Sequence, residues 1–476
     1  MEQLVKHPFA SASPARRRFL AGAVGLAAAP LLPLRSSAQA GAEPRLVEAR
    51  LAAAPAKVQL VPEQYPSTGV WAYNAAVPGP TLRLRQGDRL RVRVENQLEE
   101  GTTVHWHGIR LPNAMDGVPD LTQPSIQPGQ GFLYEFTVPD AGTYWYHPHQ
   151  RSYEQIGRGL SGALIVDERE PIRVDRDRLW VLGDWRLERD ASIRGGFGSF
   201  MDVSHNGRVG NTVTINGRVP ERFAVRAGER IRLRLINAAN ARIFGLRFQG
   251  HRPRVVALDG QPVEPHAPDG GVVVLSPAQR ADLVIDMLGE PGSRHEVHDT
   301  FYRDLEYRLV DIAYAAEPPL RAKPLDAPIR LPANPLAEPD LARAERHDIV
   351  LTGGMMGDMS GLPRGMAWAV NGASNSCGSG TIIDPLFVLR RGRSYALRLA
   401  NETQWHHPMH LHGHSFRVIA RDGQPTRHRE WLDTVLLAPR ETAELAFVAD
   451  NPGDWLLHCH VLEHQASGLT VCLRVA

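Results

Sequence analysis

The chain of 476 residues is too long for one ordinary core, and its formal charge of +2 leaves no basic footprint for nucleic acid or a membrane surface. Five basic residues, Lys6, Arg16, Arg17, Arg18 and Arg35, stand near the start, so the remainder is slightly acidic. Only Cys377, Cys459 and Cys472 carry thiols, which excludes a disulfide framework and leaves stability to several packed cores.

The first element is an address. Arg16-Arg17-Arg18-Phe19-Leu20, an apolar run over residues 21–34 and the small-residue site Ala38-Gln39-Ala40 read as a twin-arginine type signal spanning residues 1–40. The run is short for a membrane span and carries Pro30 and Pro33, so no stable membrane insertion is expected. Export by the twin-arginine machinery to the periplasm or the cell exterior follows. Cys377 and Cys472 could pair in such an oxidising compartment.

Beyond the signal, short alternating runs such as Leu82 to Val94 and Arg230 to Leu235 predict an all-β sandwich architecture. An internal repeat divides it. Asn74, Pro80, Arg85, Gly87, Asp88, Arg89 and Asn96 recur as Asn216, Pro220, Arg226, Gly228, Glu229, Arg230 and Asn237. They recur again as Asn371, Pro385, Arg390, Gly392, Arg393 and Asn401. Three sandwich domains are expected over 45–168, 172–316 and 341–476, with a Pro-rich linker over 317–340. The second and third copies continue in one register, Asp259-Gly260-Gln261-Pro262 matching Asp422-Gly423-Gln424-Pro425, yet Phe244, Arg247 and Gln249 stand opposite His407, His410 and His412. The middle domain is therefore expected to space the other two apart.

Ten of the twenty histidines fall in four clusters: His105/His107, His147/His149, His407/His410/His412 and His458/His460/His464. On an extended strand, residues i and i+2 face one side about 6–7 Å apart, so each His-x-His pair offers two imidazoles to one locus. Imidazole alone does not name the metal. Cys459, between His458 and His460, faces the opposite side and makes with His407 and His464 the His₂Cys set of blue-copper centres. One tripeptide can thus join two metal sites.

His105-Trp106-His107-Gly108, His147-Pro148-His149, His407-Pro408-Met409-His410-Leu411-His412-Gly413 and His458-Cys459-His460-Val461-Leu462-Glu463-His464 resemble the four signature motifs of the three-domain multicopper oxidases, which include laccases and bacterial cuprous oxidases. The resemblance implies three cupredoxin-like Greek-key β-sandwich domains and four copper ions per chain. It implies a type 1 copper on His407, Cys459 and His464, a type 2 copper on His105 and His410, and a type 3 pair on His107, His147, His149, His412, His458 and His460. Asp116 matches a family acid that relays protons, while the family's second relay position holds Gln465, with Glu463 a substitute. The expected catalytic residues are Asp116, Cys459, His464 and Glu463. Asp433 resembles a family position from which a carboxylate can orient a ligand imidazole, although a capped turn serves equally. His406 and His414 are expected to tune the motif they adjoin; His205, His251, His295, His298 and His428 carry no expectation. Where relatives often place an axial methionine, this chain has the non-ligating Leu469.

The implied activity is one-electron oxidation of phenols and aromatic amines coupled to reduction of dioxygen to water. Met355, Met356, Met359 and Met366 lie in one Gly-rich loop and favour a rival, Cu(I) oxidation for copper tolerance, since thioethers suit Cu(I). A copper-free cell-envelope scaffold and a two-domain nitrite reductase fit less well, because the ligand set and the three repeats are intact.

Overall fold

The computed structural model describes residues 44–376 and 383–476. The expected signal over residues 1–40 and Cys377 lie outside the described residues. Cys459 and Cys472 are buried free thiols. Among the described residues no helix is long and apolar enough to cross a membrane.

Six sheets form three sandwiches. The first pairs the four-stranded sheet of Thr68–Tyr73, Leu46–Val58, Arg89–Asn96 and Gly131–Thr137 with that of Gly79–Arg85, Gly162–Asp167, Gly142–His147 and His105–His107. The second is built from a six-stranded and a five-stranded sheet, the third from a seven-stranded and a five-stranded sheet. Each sandwich contains the same parallel pair: Leu46–Val58 beside Arg89–Asn96, Arg176–Trp185 beside Arg230–Asn237, and Glu345–Gly353 beside Ser394–Asn401.

The repeated asparagines explain that recurrence. Asn74, Asn216 and Asn371 sit at φ 53°, 52° and 48°, left-handed turn positions that asparagine tolerates. Their Oδ1 atoms accept the N–H of Ala52, Val181 and Val350, and their amides donate to the carbonyls of Arg50, Leu179 and Asp348. Asn96, Asn237 and Asn401 close the partner strands, each amide donating to two backbone carbonyls. Satisfying turn backbone groups with a side chain fixes the register.

Alternation holds in Arg89–Asn96, whose leucine and valines are buried. It fails in Arg230–Asn237, where every residue is buried. The arginine face there meets the first sandwich. Arg232 binds Glu168 and Asp282, and Arg234 binds Asp177, Asp282 and the Thr143 hydroxyl. The Pro-rich stretch carries no strand but is tied down, Asn334 exchanging hydrogen bonds with Ala141 and donating to Gln261. One apolar cluster unites first- and third-sandwich side chains, Trp106, Tyr134, Trp368, Met409 and Trp455 among them, whereas Leu233, Phe244 and Leu283 of the second pack separately.

Candidate metal centres

Strand His407–Leu411 lies between two others, and its register sets Met409 opposite Cys459 and His410 opposite His458. His407 and Cys459 are brought to one end of this sheet, and the short helix Leu462–Ala466 returns His464 to them. Cys459 Sγ lies 3.5 Å from His407 Nδ1 and 3.8 Å from His464 Nδ1, and the two nitrogens are 3.2 Å apart. Each ring is held from behind, His407 Nε2–H donating to Thr403 Oγ1 at 2.9 Å and His464 Nε2–H to the His205 carbonyl at 2.6 Å. The Nδ1 atoms therefore carry lone pairs. Burial pushes His464 down to about 3 and His407 well below its usual value, so both rings are neutral. Burial also raises the Cys459 thiol. Two lone pairs and a sulfur converge with only the thiol proton to share among them, so the set coheres fully around a soft cation, which also draws the thiol to thiolate. Leu469, fully buried in the apolar cluster that holds Cys459, offers no donor atom.

The second constellation spans the first and third sandwiches. Strand His105–His107 pairs with Gly142–His147, placing His105 opposite His147. His149, His412 and His458 bring ligand atoms together, as do His105, His410 and His412, and His105, His107 and His147. His460 completes the group, its ring centroid 5.1 Å from that of His107 and 5.2 Å from that of His147. Burial and the neighbouring imidazoles hold His107, His147, His149, His412, His458 and His460 well below the usual histidine range.

Hydrogen bonds fix which nitrogen is free. His105 Nδ1–H donates to the Asp116 carbonyl at 2.9 Å and His410 Nδ1–H to the Asp433 carbonyl at 2.8 Å, leaving both Nε2 atoms buried and unpartnered. His147 and His458 donate to the Pro148 and Cys459 carbonyls, and His412 Nδ1–H to Asp116 Oδ2 at 2.8 Å. The His412 and His458 Nε2 atoms then confront each other at 3.0 Å, and both His460 nitrogens have no partner. Buried acceptors left facing one another are costly unless cations lie between them, so the donor set fits bound metal ions.

All eleven sequence-predicted ligands are thus gathered into two loci. Asp116 meets His105 and His412. Glu463 does not touch these imidazoles; its carboxylate accepts from the Arg208 N–H and the Asn240 amide, and burial pushes it up to about 7. It borders a cavity of about 280 Å³ that His149, Ser152, Tyr153 and Gln465 also line. Gln465 bridges Ser152 and His149, its amide donating to His149 Nε2 at 3.1 Å. Asp433 orients imidazoles rather than merely capping a turn, its Oδ1 accepting from His107 Nε2 at 3.2 Å. His414 donates to the His412 carbonyl, while His406 packs against Phe301.

The expectation of the middle domain as a spacer is corrected. Its Arg280 grips Asp433, its Asp259 accepts the N–H groups of Asp433 and Thr434, and its Asn240 reaches Glu463. The His205 carbonyl that holds His464 also comes from the middle sandwich, in the segment between its paired strands Arg176–Trp185 and Thr212–Ile215. Sequence reading missed His205, Asp259 and Arg280 because each acts through a contact distant along the chain, and Thr403 because a threonine four residues before His407 carries no distinctive signal.

Three family models, each described as multicopper oxidase, match residues 56–171, 177–294 and 363–476. Multicopper oxidase MmcO of Mycobacterium tuberculosis is 32% identical, the match covering 98% of this chain and 94% of that protein. Copper resistance protein A of Escherichia coli is 33% identical over 53% of this chain and 49% of its own length. The crystal structure of a multi-copper oxidase from Pseudomonas thermotolerans superposes with a TM-score of 0.82 at 37% identity, covering 91% of this chain and 100% of that one.

Proposed function

Because this chain belongs to the multicopper oxidase family, an oxidoreductase family that uses copper, dioxygen and a reducing donor, we propose that it acts as a laccase-type enzyme with four copper ions. In this reading phenols and aromatic amines are oxidised at a type 1 site and dioxygen is reduced to water at a three-copper site. Copper, when bound, supplies one-electron exchange at the first site and multi-electron oxygen chemistry at the second.

The observation that carries the reading is the Cys459 junction. His407, Cys459 and His464 would hold the type 1 ion, and the same backbone leads directly to His458 and His460 in the other locus. His458 Nδ1–H donates to the Cys459 carbonyl at 2.9 Å, a hydrogen-bonded shortcut beside the covalent path. His105 and His410 would hold the type 2 ion; His149, His412 and His458 would hold one type 3 ion, and His107, His147 and His460 the other. Asp116, which fixes two of these rings, and Glu463, beside the cavity, are the acids on the proton side. Export by the twin-arginine route to the periplasm belongs to the same proposal.

A second reading, Cu(I) oxidation for copper tolerance, is favoured by where the methionine loop attaches. Met355 N–H donates to the Ser204 carbonyl and the Met355 carbonyl accepts from Trp405 Nε1, beside the His205 that holds His464. Met356 is 73% exposed. Oxygen uptake by copper-loaded enzyme, with a phenolic dye precursor and separately with Cu(I), tests both. Replacing Met355, Met356, Met359 and Met366 by leucine is expected to leave phenol turnover within about twofold, a change under ~0.5 kcal/mol. Cu(I) turnover that dominates in the wild type and collapses in the variant would transfer the assignment to copper tolerance.

Leu469 sets a further expectation. Leu469→Met would bring a thioether to the thiolate site and stabilise the oxidised ion. Its potential should fall by about 60 mV, a tenfold shift in a one-electron equilibrium. Redox titration of the thiolate absorption reads this directly; an unchanged potential removes the axial argument.

A further inference from the structure

The sandwich that lacks the clustered histidines reaches between the two that have them. Arg280, at the start of strand Arg280–Asp286, is fully buried. Its Nη1 and Nη2 donate to Asp433 Oδ1 and Oδ2 at 2.8 and 2.5 Å, its Nε to the Thr143 carbonyl at 3.2 Å, and Nη1 also to the Ala278 carbonyl at 3.3 Å. Asp259, from the same sandwich, accepts the Arg280 N–H on Oδ1 at 3.0 Å. Its Oδ2 accepts the N–H groups of Asp433 and Thr434 at 3.2 and 3.0 Å. Asp433 is thereby fixed in both backbone and side chain by the middle sandwich.

What Asp433 then touches belongs to the other two. Its Oδ1 accepts from His107 Nε2 at 3.2 Å, and its carbonyl accepts from His410 Nδ1 at 2.8 Å. His107 comes from the first sandwich and His410 from the third. With its Nε2 proton committed, His107 turns Nδ1 toward His147 Nε2, 3.4 Å away. We infer that Arg280 is a positioning residue, through which the middle sandwich, by way of Asp433, sets the tautomer and orientation of His107 and His410.

A plain strut between sandwiches would not need this geometry. Gly108, at φ +84°, directly follows His107, and a Cβ there would strike Arg280 Nη2 and Asp433 Oδ2. The guanidinium is therefore packed against the very peptide that carries the imidazole. Burial alone would push the Asp433 carboxyl upward; the Arg280 guanidinium outweighs it and holds the group below the usual carboxylate range. Without the fork, the Asp433 carboxylate is left to the Thr434 hydroxyl, and His107 Nε2 can turn from Asp433 Oδ1 to that hydroxyl, 3.3 Å away. Plain struts exist nearby for comparison: Arg232 grips Glu168 and Asp282 across the same seam without touching any of the clustered histidines.

The inference rests on the proposal that His107 and His410 are copper ligands. The test uses copper-loaded full chain in four forms: wild type, Arg280→Lys, Asp433→Asn and the double variant, with Arg232→Lys as control. Copper affinity by chelator competition, the paramagnetic resonance spectrum of the imidazole-bound copper and the thiolate absorption are read for each. Arg280→Lys is expected to weaken copper binding at the imidazole cluster about 10- to 100-fold and shift its resonance spectrum, with the thiolate absorption retained. Asp433→Asn should reproduce the change, and the double variant should add nothing, because the two residues act in series. Arg232→Lys should leave the spectrum unaltered. A wild-type spectrum in Arg280→Lys, additive effects in the double variant, or the same loss in Arg232→Lys overturns the inference. Should Arg280→Lys not fold, a wild-type spectrum in the isosteric Asp433→Asn does so instead. If wild type takes up no copper at the imidazole cluster, the ligand proposal fails rather than the positioning one.

Discussion

Cys459→Ser is expected to abolish oxidase turnover, by more than about 10³-fold or ~4 kcal/mol of barrier, and to remove one copper per chain together with the thiolate absorption. The physical reason is local. Sγ is the soft donor that faces His407 Nδ1 and His464 Nδ1, and a serine hydroxyl keeps its proton and makes a hard, weak ligand. The substitution is nearly isosteric in a fully buried position, so the fold should survive with a similar melting temperature. Copper content should fall by one ion while the imidazole cluster stays loaded, because His458 and His460 face that cluster independently of the sulfur. Elemental analysis, visible absorption and oxygen uptake check the three parts. A variant that still oxidises phenols at a comparable rate would show that electrons enter elsewhere and would remove the Cys459 junction from the mechanism.

Asp116→Asn should lower turnover by about 10²-fold with copper content and thiolate absorption unchanged. Asp116 takes the His412 Nδ1 proton on Oδ2 at 2.8 Å, and its Oδ1 lies 3.2 Å from His105 Nδ1. Asparagine keeps the shape and the backbone carbonyl that accepts from His105, yet it presents an amide donor to one of two imidazole N–H groups. It also removes the carboxylate able to pass a proton at this edge of the cluster. Reduction of the thiolate site under anaerobic single mixing should proceed as in wild type, since His407, Cys459 and His464 do not touch Asp116. Steady-state oxygen uptake set against that anaerobic rate separates the two steps. Equal losses in both would mean that Asp116 supports the whole structure rather than the oxygen side.

The clustering of the candidate ligands was legible because its signal is local. A strand alternates its faces every residue, so His105-Trp106-His107 and His458-Cys459-His460 declare which side chains share a side whatever the rest of the chain does. The repeat was legible for the same reason: Asn74, Asn216 and Asn371 satisfy backbone groups of their own sandwich, and that requirement recurs in each copy. The sequence also carried the departures at Gln465 and Leu469. It did not carry the burial of Arg230, Arg232 and Arg234, whose alternation reads as a solvated face until Asp286 meets the first and Glu168, Asp177 and Asp282 meet the other two.

Asp259 marks the boundary between the two kinds of information. Like Asp422 in the third copy, it occupies a repeated turn at positive φ and accepts a neighbouring strand's N–H, which its place in the repeat suggests. Its second oxygen reaches the backbone of Asp433 and Thr434 in another sandwich, which no spacing along the chain encodes. Residue types and strand periodicity determined which atoms can bind metal. Tertiary packing decided which nitrogen is free on His412, His107 and His464, because that depends on Asp116, Asp433 and the His205 carbonyl arriving from a different sandwich, whereas His147, His458 and His407 are fixed by Pro148, Cys459 and Thr403 close by in the chain.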